Sequence, residues 1–179
     1  MLSEIVTDRC ILKPFSTEQI DGLFKMESDP EVHRYLGNKP ITQMEQLYEV
    51  INFVHKQYKE HGIGRWFVLD KASHEFLGWS GLKYYDDPDY APFPIYDLGY
   101  RFTRECWGQG YATETSRAWI KYAIDHLKVD CLYATAHPQN QASINVLTKL
   151  GFLPTKEIKN PECESNCYQL QLNKSTSLQ

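Results

Sequence analysis

The sequence predicts an α/β (α+β) fold in one domain, with a central mixed, mostly antiparallel sheet flanked by helices. Three observations predict it. After one strand-like stretch, the first third carries apolar residues at helical spacing. The middle is a set of short runs rich in aromatic and β-branched residues, parted by turn signals. The last third contains a strand–helix–strand unit, which sets two strands parallel in an otherwise antiparallel sheet. At 179 residues, 42% hydrophobic and 23% charged, the chain can bury a core without disulfide or metal staples. The expected domain spans residues 1–174, and 175–179 ("STSLQ") read as a frayed tail.

The elements follow in order. "EIVTDRCILKPF" alternates loosely and reads as a strand. Ser16 opens a helix whose Ile20, Leu23 and Phe24 form one apolar face. "DPEVHRYLG" is a short helix with Asp29 as cap, Pro30 at its first position and Gly37 as its stop. Met44, Leu47, Val50, Ile51 and Val54 then keep helical spacing up to Gly62. "RWFVLD", "EFLGWSGLKYY" and "IYDLGYRF" form an antiparallel meander, joined by "KASHE" and "DDPDYAPFP". A helix runs from the glycine-containing stretch "RECWGQGYATE" to about Leu127, followed by the strand "CLYATA". "NQASINVLTKLG" is a helix capped by Asn140 and stopped by Gly151, and "FLPTKEI" and "CYQLQLN" are the closing strands. The total is about seven strands.

Charge and cysteine content narrow the function classes. Nineteen basic against 23 acidic residues give a net charge of −4 with no like-charge run, which argues against nucleic acid as a partner. No apolar run approaches a membrane span and no secretory signal is visible, so neither membrane nor export is expected. The five cysteines fit no zinc pattern; Cys163 and Cys167 read as reduced thiols near a hairpin, and the expected home is the reducing cytoplasm. No metal site is expected.

"RECWGQGYATE" sits where a strand ends and a helix begins. Unpaired N–H groups and the positive end of the macrodipole make such a point an anion site, apt for a pyrophosphate. Gly108 and Gly110 would let the backbone approach phosphates closely, and Thr113 adds a hydroxyl. No lysine stands in Walker position and no G-x-G-x-x-G is present, which argues against a P-loop or a Rossmann site. A ligand-free glycine turn remains the other reading of these residues.

A second segment, "PQNQASINVLTKLGF", changes the weight. Together the two resemble the GNAT superfamily of acyl-CoA-dependent N-acetyltransferases. The family's loop R/Q-x-x-G-x-G/A is matched by Trp107-Gly108-Gln109-Gly110-Tyr111-Ala112. Its later element N-x-x-A-x-x-x-Y-x-x-x-G-F is matched at Asn140, Ser143, Leu147, Gly151 and Phe152. The style of "DRCILKPFSTEQIDGLFKMESDPEVHRYLG" and "DLGYRFTRECWGQGYATE" is similar to the branch of ribosomal-protein N-terminal acetyltransferases. The resemblance covers roughly Val6 to Leu172.

It implies a GNAT fold splayed between the fourth and fifth strands, acetyl-CoA as co-substrate and a primary amine as acceptor. It implies that backbone from Gly108 through Thr113 holds the CoA pyrophosphate, that the backbone of Tyr100, Arg101 and Phe102 pairs with the pantetheine arm, and that Asn140 touches its end. Two positions depart from the pattern. Trp107 replaces the family's Arg or Gln, and Leu147 replaces the tyrosine that protonates the departing thiolate. Ser143, one turn earlier on the same helix face, is the branch's replacement donor or else a solvent-facing serine.

A base must neutralise the amine before attack. The candidates are Asp97, His137 and Glu114. Asp97 shares strand parity with Gly99 and Arg101, while Tyr96, Leu98, Tyr100 and Phe102 take the other face. Asp97 therefore faces the groove or is covered by a helix. Histidine is a residue type suited to proton exchange, but His137 sits beside Pro138, and Glu114 also suits a helix's first turn. The acceptor pocket is expected from the first helices and the loop "KYYDDPDYAPFP", where Asp86, Asp87 and Asp89 stand among Tyr84, Tyr85 and Tyr90, or else that loop is an acidic solvated turn; Trp79 lines the groove or fills the core. The expected reaction is direct attack in a ternary complex, with Cys106 and Cys131 leaving a covalent route formally open. The acceptor is a protein N-terminus or a small amine, and the alternative class is a non-catalytic acyl-CoA-binding module. The protein is expected as a monomer or homodimer.

Overall fold

A computed structural model describes residues 4–156 and 164–172. The expected boundary at 174, the tail and Cys163 lie outside the described residues.

Among the described residues eight strands form one sheet, in the order β1-β2-β3-β4-β5-β6-β8-β7. They are β1 (Ile5–Val6), β2 (Cys10–Pro14), β3 (Arg65–Asp70), β4 (Phe76–Tyr85), β5 (Ile95–Phe102), β6 (Cys131–Ala136), β7 (Leu153–Thr155) and β8 (Asn166–Gln171). The count exceeds the expected seven because the first predicted strand is a tight hairpin. Thr7 turns the chain: its N–H donates to the Cys10 carbonyl at 2.9 Å, and its hydroxyl accepts from the Cys10 N–H at 3.0 Å. The helices are α1 (Ile20–Glu27), α2 (Pro30–His33), α3 (Glu45–His61), α4 (Tyr111–Tyr122) and α5 (Gln141–Leu150). A wide π turn, Ala123–Leu127, extends α4 to the expected end.

Three of the expected caps form, while α2 ends at His33 with Arg34 as its C-cap, short of the expected stop at Gly37. The carboxylate of Asp29 accepts from the Glu31 N–H, the Asn140 side chain accepts from the Ser143 N–H, and Gly151 ends α5 at φ +88°.

Strand alternation divides the apolar residues into two layers. Leu12, Trp66, Val68, Leu82, Leu98 and Phe102 pack with Trp119 of α4 and Leu147 of α5. Phe67 and Trp79 pack on the opposite face with Leu23, Met26, Val32, Leu47, Ile51 and Val54 of α1–α3. Every strand pairing but one is antiparallel. The exception, β5 with β6, is parallel and in register only at Asp97↔Tyr133. β5 continues five residues past that point without a partner on this side, so the two strands part there.

Candidate active site

The cleft between β5 and β6 has three parts: a loop at its open end, a vertex at its closed end, and two unlike faces.

The loop lies between β5 and α4. Gly108 and Gly110 hold φ of +73° and +85°, a region that costs other L-residues energy. Residues 107–110 are exposed. No side chain caps α4, whose first hydrogen bond of the turn runs from the Glu114 N–H to the Gly110 carbonyl at 3.0 Å. The N–H groups of Tyr111, Ala112 and Thr113 at this helix start are the donors an anion would use. Trp107 folds back, its indole N–H donating to the Phe102 carbonyl at 2.9 Å. Gln109 is tied to the same loop, its side-chain amide donating to the Glu105 carbonyl.

A cation reaches this loop from the far end of the chain. Arg9 lies over the Tyr111 ring, 4.3 Å from its centroid, and donates to the Gln109 carbonyl at 3.0 Å. Its Nε and its backbone N–H both meet the Glu114 carboxylate at 2.8 Å, and the Thr7 hydroxyl meets the same carboxylate at 2.6 Å. Glu114 is thus the anchor of the β1–β2 hairpin on α4. Burial pushes its carboxyl up, but Thr7 and Arg9 together hold it below the ordinary value. Arg9 went unread in the sequence because its partners are a hundred residues away.

The vertex is Asp97. It is buried on the α1–α3 side, opposite Lys83 in register. The Tyr90 hydroxyl donates to it at 3.5 Å, and Tyr90 stacks on Tyr85 with ring centroids 4.4 Å apart. Burial pushes the Asp97 carboxyl up to about 7, against the opposing pull of Arg65 and Lys83. A carboxyl of that value exchanges protons near neutral pH.

The rest of this face is a charged network. Trp79 is core, only 5% exposed, between the guanidinium groups of Arg65 (4.4 Å from a ring centroid) and Arg101 (5.2 Å). It offers little surface to a groove. Its indole N–H donates to Glu27 at 3.1 Å; His33 Nε2 lies 2.9 Å from the same carboxylate, and Arg101 completes the set. Burial pushes the Glu27 carboxyl up, but Arg101, His33 and Trp79 more than offset this and hold it at about 2. The backbone of Arg101 lies past the vertex, while its side chain serves this network on the α1–α3 side.

The other face carries Tyr100. Its hydroxyl lies 3.0 Å from Ser143 Oγ and 3.3 Å from the Ser143 carbonyl, joining β5 to the first turn of α5. Leu147, one turn on, is fully buried among core residues. Asn140 holds the Ser143 N–H at 3.1 Å.

Two expected groupings change. Tyr84 and Tyr85 do not share a pocket, because neighbouring strand residues point to opposite faces. Tyr84 stacks on His61 and packs with the α4 layer, whereas Tyr85 belongs with Tyr90 beside Asp97. Asp86, Asp87 and Asp89 are exposed, and Asp87 is spent on its own turn, accepting from the Asp89 N–H. His137 lies just beyond the end of β6, with Nδ1 accepting from the Gln139 N–H at 3.1 Å and its ring against Tyr35. Burial raises the thiols of Cys10, Cys106 and Cys167, so none of these three is held as a thiolate. Among the described residues no group of three or more metal-type ligands is found, and no helix is long and apolar enough to cross a membrane.

Comparison with known proteins agrees with this geometry. The family model described as "Acetyltransferase (GNAT) domain" matches residues 9–153. The chain is 30% identical to the uncharacterized protein YkkB of Bacillus subtilis (strain 168), over 88% of this chain and 89% of that one. It is 29% identical to the uncharacterized N-acetyltransferase p20 of Bacillus licheniformis, over 84% of this chain and 83% of that one. Among solved structures, an acetyltransferase from Agrobacterium tumefaciens superposes with a TM-score of 0.82 at 20% identity, covering 96% of this chain and 95% of that one. Spermidine N-acetyltransferase from Vibrio cholerae, in complex with CoA and spermine, gives 0.71 at 14% identity over 91% and 95%. Ribosomal-protein-S5-alanine acetyltransferase from Vibrio fischeri gives 0.72 at 14% over 96% and 97%. The ribosomal-protein branch is thus one of several neighbours, and these structural likenesses speak to the fold alone.

Proposed function

The chain belongs to the acetyltransferase (GNAT) family, and from that premise we propose that it transfers an acetyl group from acetyl-CoA to a primary amine by direct attack. The observation that carries this reading is the parting of β5 from β6 at Asp97. It leaves the β5 backbone from Leu98 to Phe102 without a strand partner along the cleft, and it sets a proton-exchanging carboxyl at the cleft's closed end.

The parts fit acetyl-CoA, which supplies the activated acetyl thioester. The positive-φ glycines and uncapped start of α4 receive the pyrophosphate, from Gly108 through Thr113, with Trp107, Gln109, Tyr111 and Ala112 shaping the loop and Arg9 adding charge beside it. The pantetheine arm lies along the backbone of Tyr100, Arg101 and Phe102, and Asn140 orders the facing helix start. Asp97, directly or through one water, takes the amine's proton. Ser143 donates a hydrogen bond to the departing sulfur. His137 is the second candidate base, with one ring nitrogen already occupied.

The acceptor arrives on the α1–α3 side, where Tyr85 and Tyr90 flank Asp97. Its class, a protein N-terminus or a small amine, is the open choice, since neighbours acting on a ribosomal protein and on spermidine are equally similar in fold.

One assay tests the reading. Acetyl-CoA is incubated with peptide N-termini, polyamines, aminoglycosides and amino acids, and free thiol is measured. At least one amine should release thiol well above hydrolysis. If none does while acetyl-CoA still raises the Tm, the chain is an acyl-CoA-binding module instead. If acetyl-CoA does not raise the Tm, the site reading itself is wrong.

A further inference from the structure

Leu147 cannot donate a proton, and a serine hydroxyl alone is a feeble acid. The structure places a second hydroxyl against that serine. The phenol of Tyr100 comes from β5 and Ser143 from α5, so the contact at 3.0 Å spans the two lips of the cleft. We propose that Tyr100 is a positioning residue for Ser143, and that the two hydroxyls together do what a single tyrosine would do at the departing sulfur. This rests on the reading of Ser143 given above.

The geometry allows two arrangements. The phenol has one hydrogen and two acceptors within reach, the Ser143 carbonyl at 3.3 Å and Oγ at 3.0 Å. With its hydrogen on the carbonyl, the phenol oxygen accepts from Ser143 and the serine proton is held inward. With its hydrogen on Oγ, the serine proton is free to point into the cleft. The second arrangement is favoured when negative charge develops on sulfur.

As the C–S bond breaks, its electron pair stays on sulfur. The thiolate accepts a hydrogen bond from the Ser143 Oγ–H, and Oγ in turn accepts from the phenol, so both hydroxyls keep their protons. Sulfur takes its own proton from water as CoA leaves. Burial pushes the Tyr100 hydroxyl up to about 12, so it keeps its hydrogen at neutral pH and can offer it to Oγ as a hydrogen bond. Position matters here: on β5 only even-numbered residues face α4 and α5, so the donor pair is kept on the opposite side of the sheet from Asp97.

The test uses the full chain and CoA itself, with no acceptor needed. The thiol of bound CoA is titrated by its ultraviolet absorbance in wild type, Tyr100→Phe, Ser143→Ala and the double variant. In wild type the bound thiol should titrate below free CoA, and both single variants should move it back up. The double variant should match Ser143→Ala. Circular dichroism and the Tm increase caused by CoA show that each variant folds and binds. Turnover, read separately with a confirmed amine, should fall about tenfold or more in Tyr100→Phe with KM for acetyl-CoA unchanged. An unchanged bound-thiol titration in a folded, CoA-binding Tyr100→Phe overturns the proposal. So does a double variant whose shifts simply add. If the thiol titration behaves as expected but no amine turns over, the transfer reading fails while the hydroxyl pair stands.

Discussion

The two faces of β5 differ more than any two regions of the fold. Toward α1–α3 the strand shows Asp97 and Arg101, among Lys83, Arg65, Glu27 and Trp79. Toward α4 and α5 it shows Leu98, Tyr100 and Phe102, in a mainly apolar layer that includes the phenol–serine contact. In the reaction proposed above, one face holds the carboxylate that takes a proton, and the other holds neutral hydroxyls that hydrogen-bond the departing sulfur. The backbone between them is what a thioester would lie along. The difference teaches that strand alternation sets a titrating carboxyl and a hydroxyl pair on opposite sides of one strand, which is the separation the proposed reaction needs between base and thiolate partner.

The largest test of this division is Asp97→Asn. Loss of a general base should lower kcat about 10²–10⁴-fold. In wild type kcat/KM should rise with pH through about 7, as the carboxyl loses its proton, and the variant should lose that limb. Stability should move the other way. A carboxyl whose value is raised on folding stabilises fully below its unfolded value near 4, and that contribution is lost as pH rises through about 7. Urea titrations at pH 5 and 8 should therefore show the wild type, not Asp97→Asn, losing stability.

Next comes the network on the same face. Glu27→Leu leaves Arg101 half-buried and uncompensated, and should cost about 3–5 kcal/mol by denaturant titration. Since the carboxyl is held at about 2, its contribution should survive down to the ordinary carboxylate range and fade only as pH falls toward 2. A smaller effect is expected on the apolar face. Leu147→Tyr restores the family's residue but overfills a fully buried site, so it should cost about 1–3 kcal/mol without raising kcat. If kcat rises instead, the division between the faces is less strict than drawn. Gly110→Ala should be mildest, about 1 kcal/mol from its positive φ, and should show most clearly as weaker CoA binding in a Tm-shift titration.

The fold was legible because its signals are local. Asp29, Asn140 and Gly151 stood at helix ends by type and position, and the meander by its aromatic runs and turns. The hairpin at Thr7 was not legible, since "EIVTDRCILKPF" carries no glycine or proline at the turn and Thr7 makes the reversal with its own hydroxyl. Of the site, the glycine loop and the parity of Asp97 could be read directly. Tyr100 was legible only as backbone, and its phenol's partner lies 43 residues away on another element. Tyr84 and Tyr85 looked like a pair because they are adjacent, yet adjacency on a strand means opposite faces.

By itself the sequence determined the order of strands and helices, the strain-tolerant glycines at 108 and 110, and which side chains share a face of β5. These follow from local periodicity and backbone preference. Only the tertiary structure decided that β5 and β6 meet at Asp97 and part beyond it, that Arg9 reaches the loop, and that Tyr100 finds Ser143. Those depend on packing between distant segments, where burial sets which polar groups must find each other.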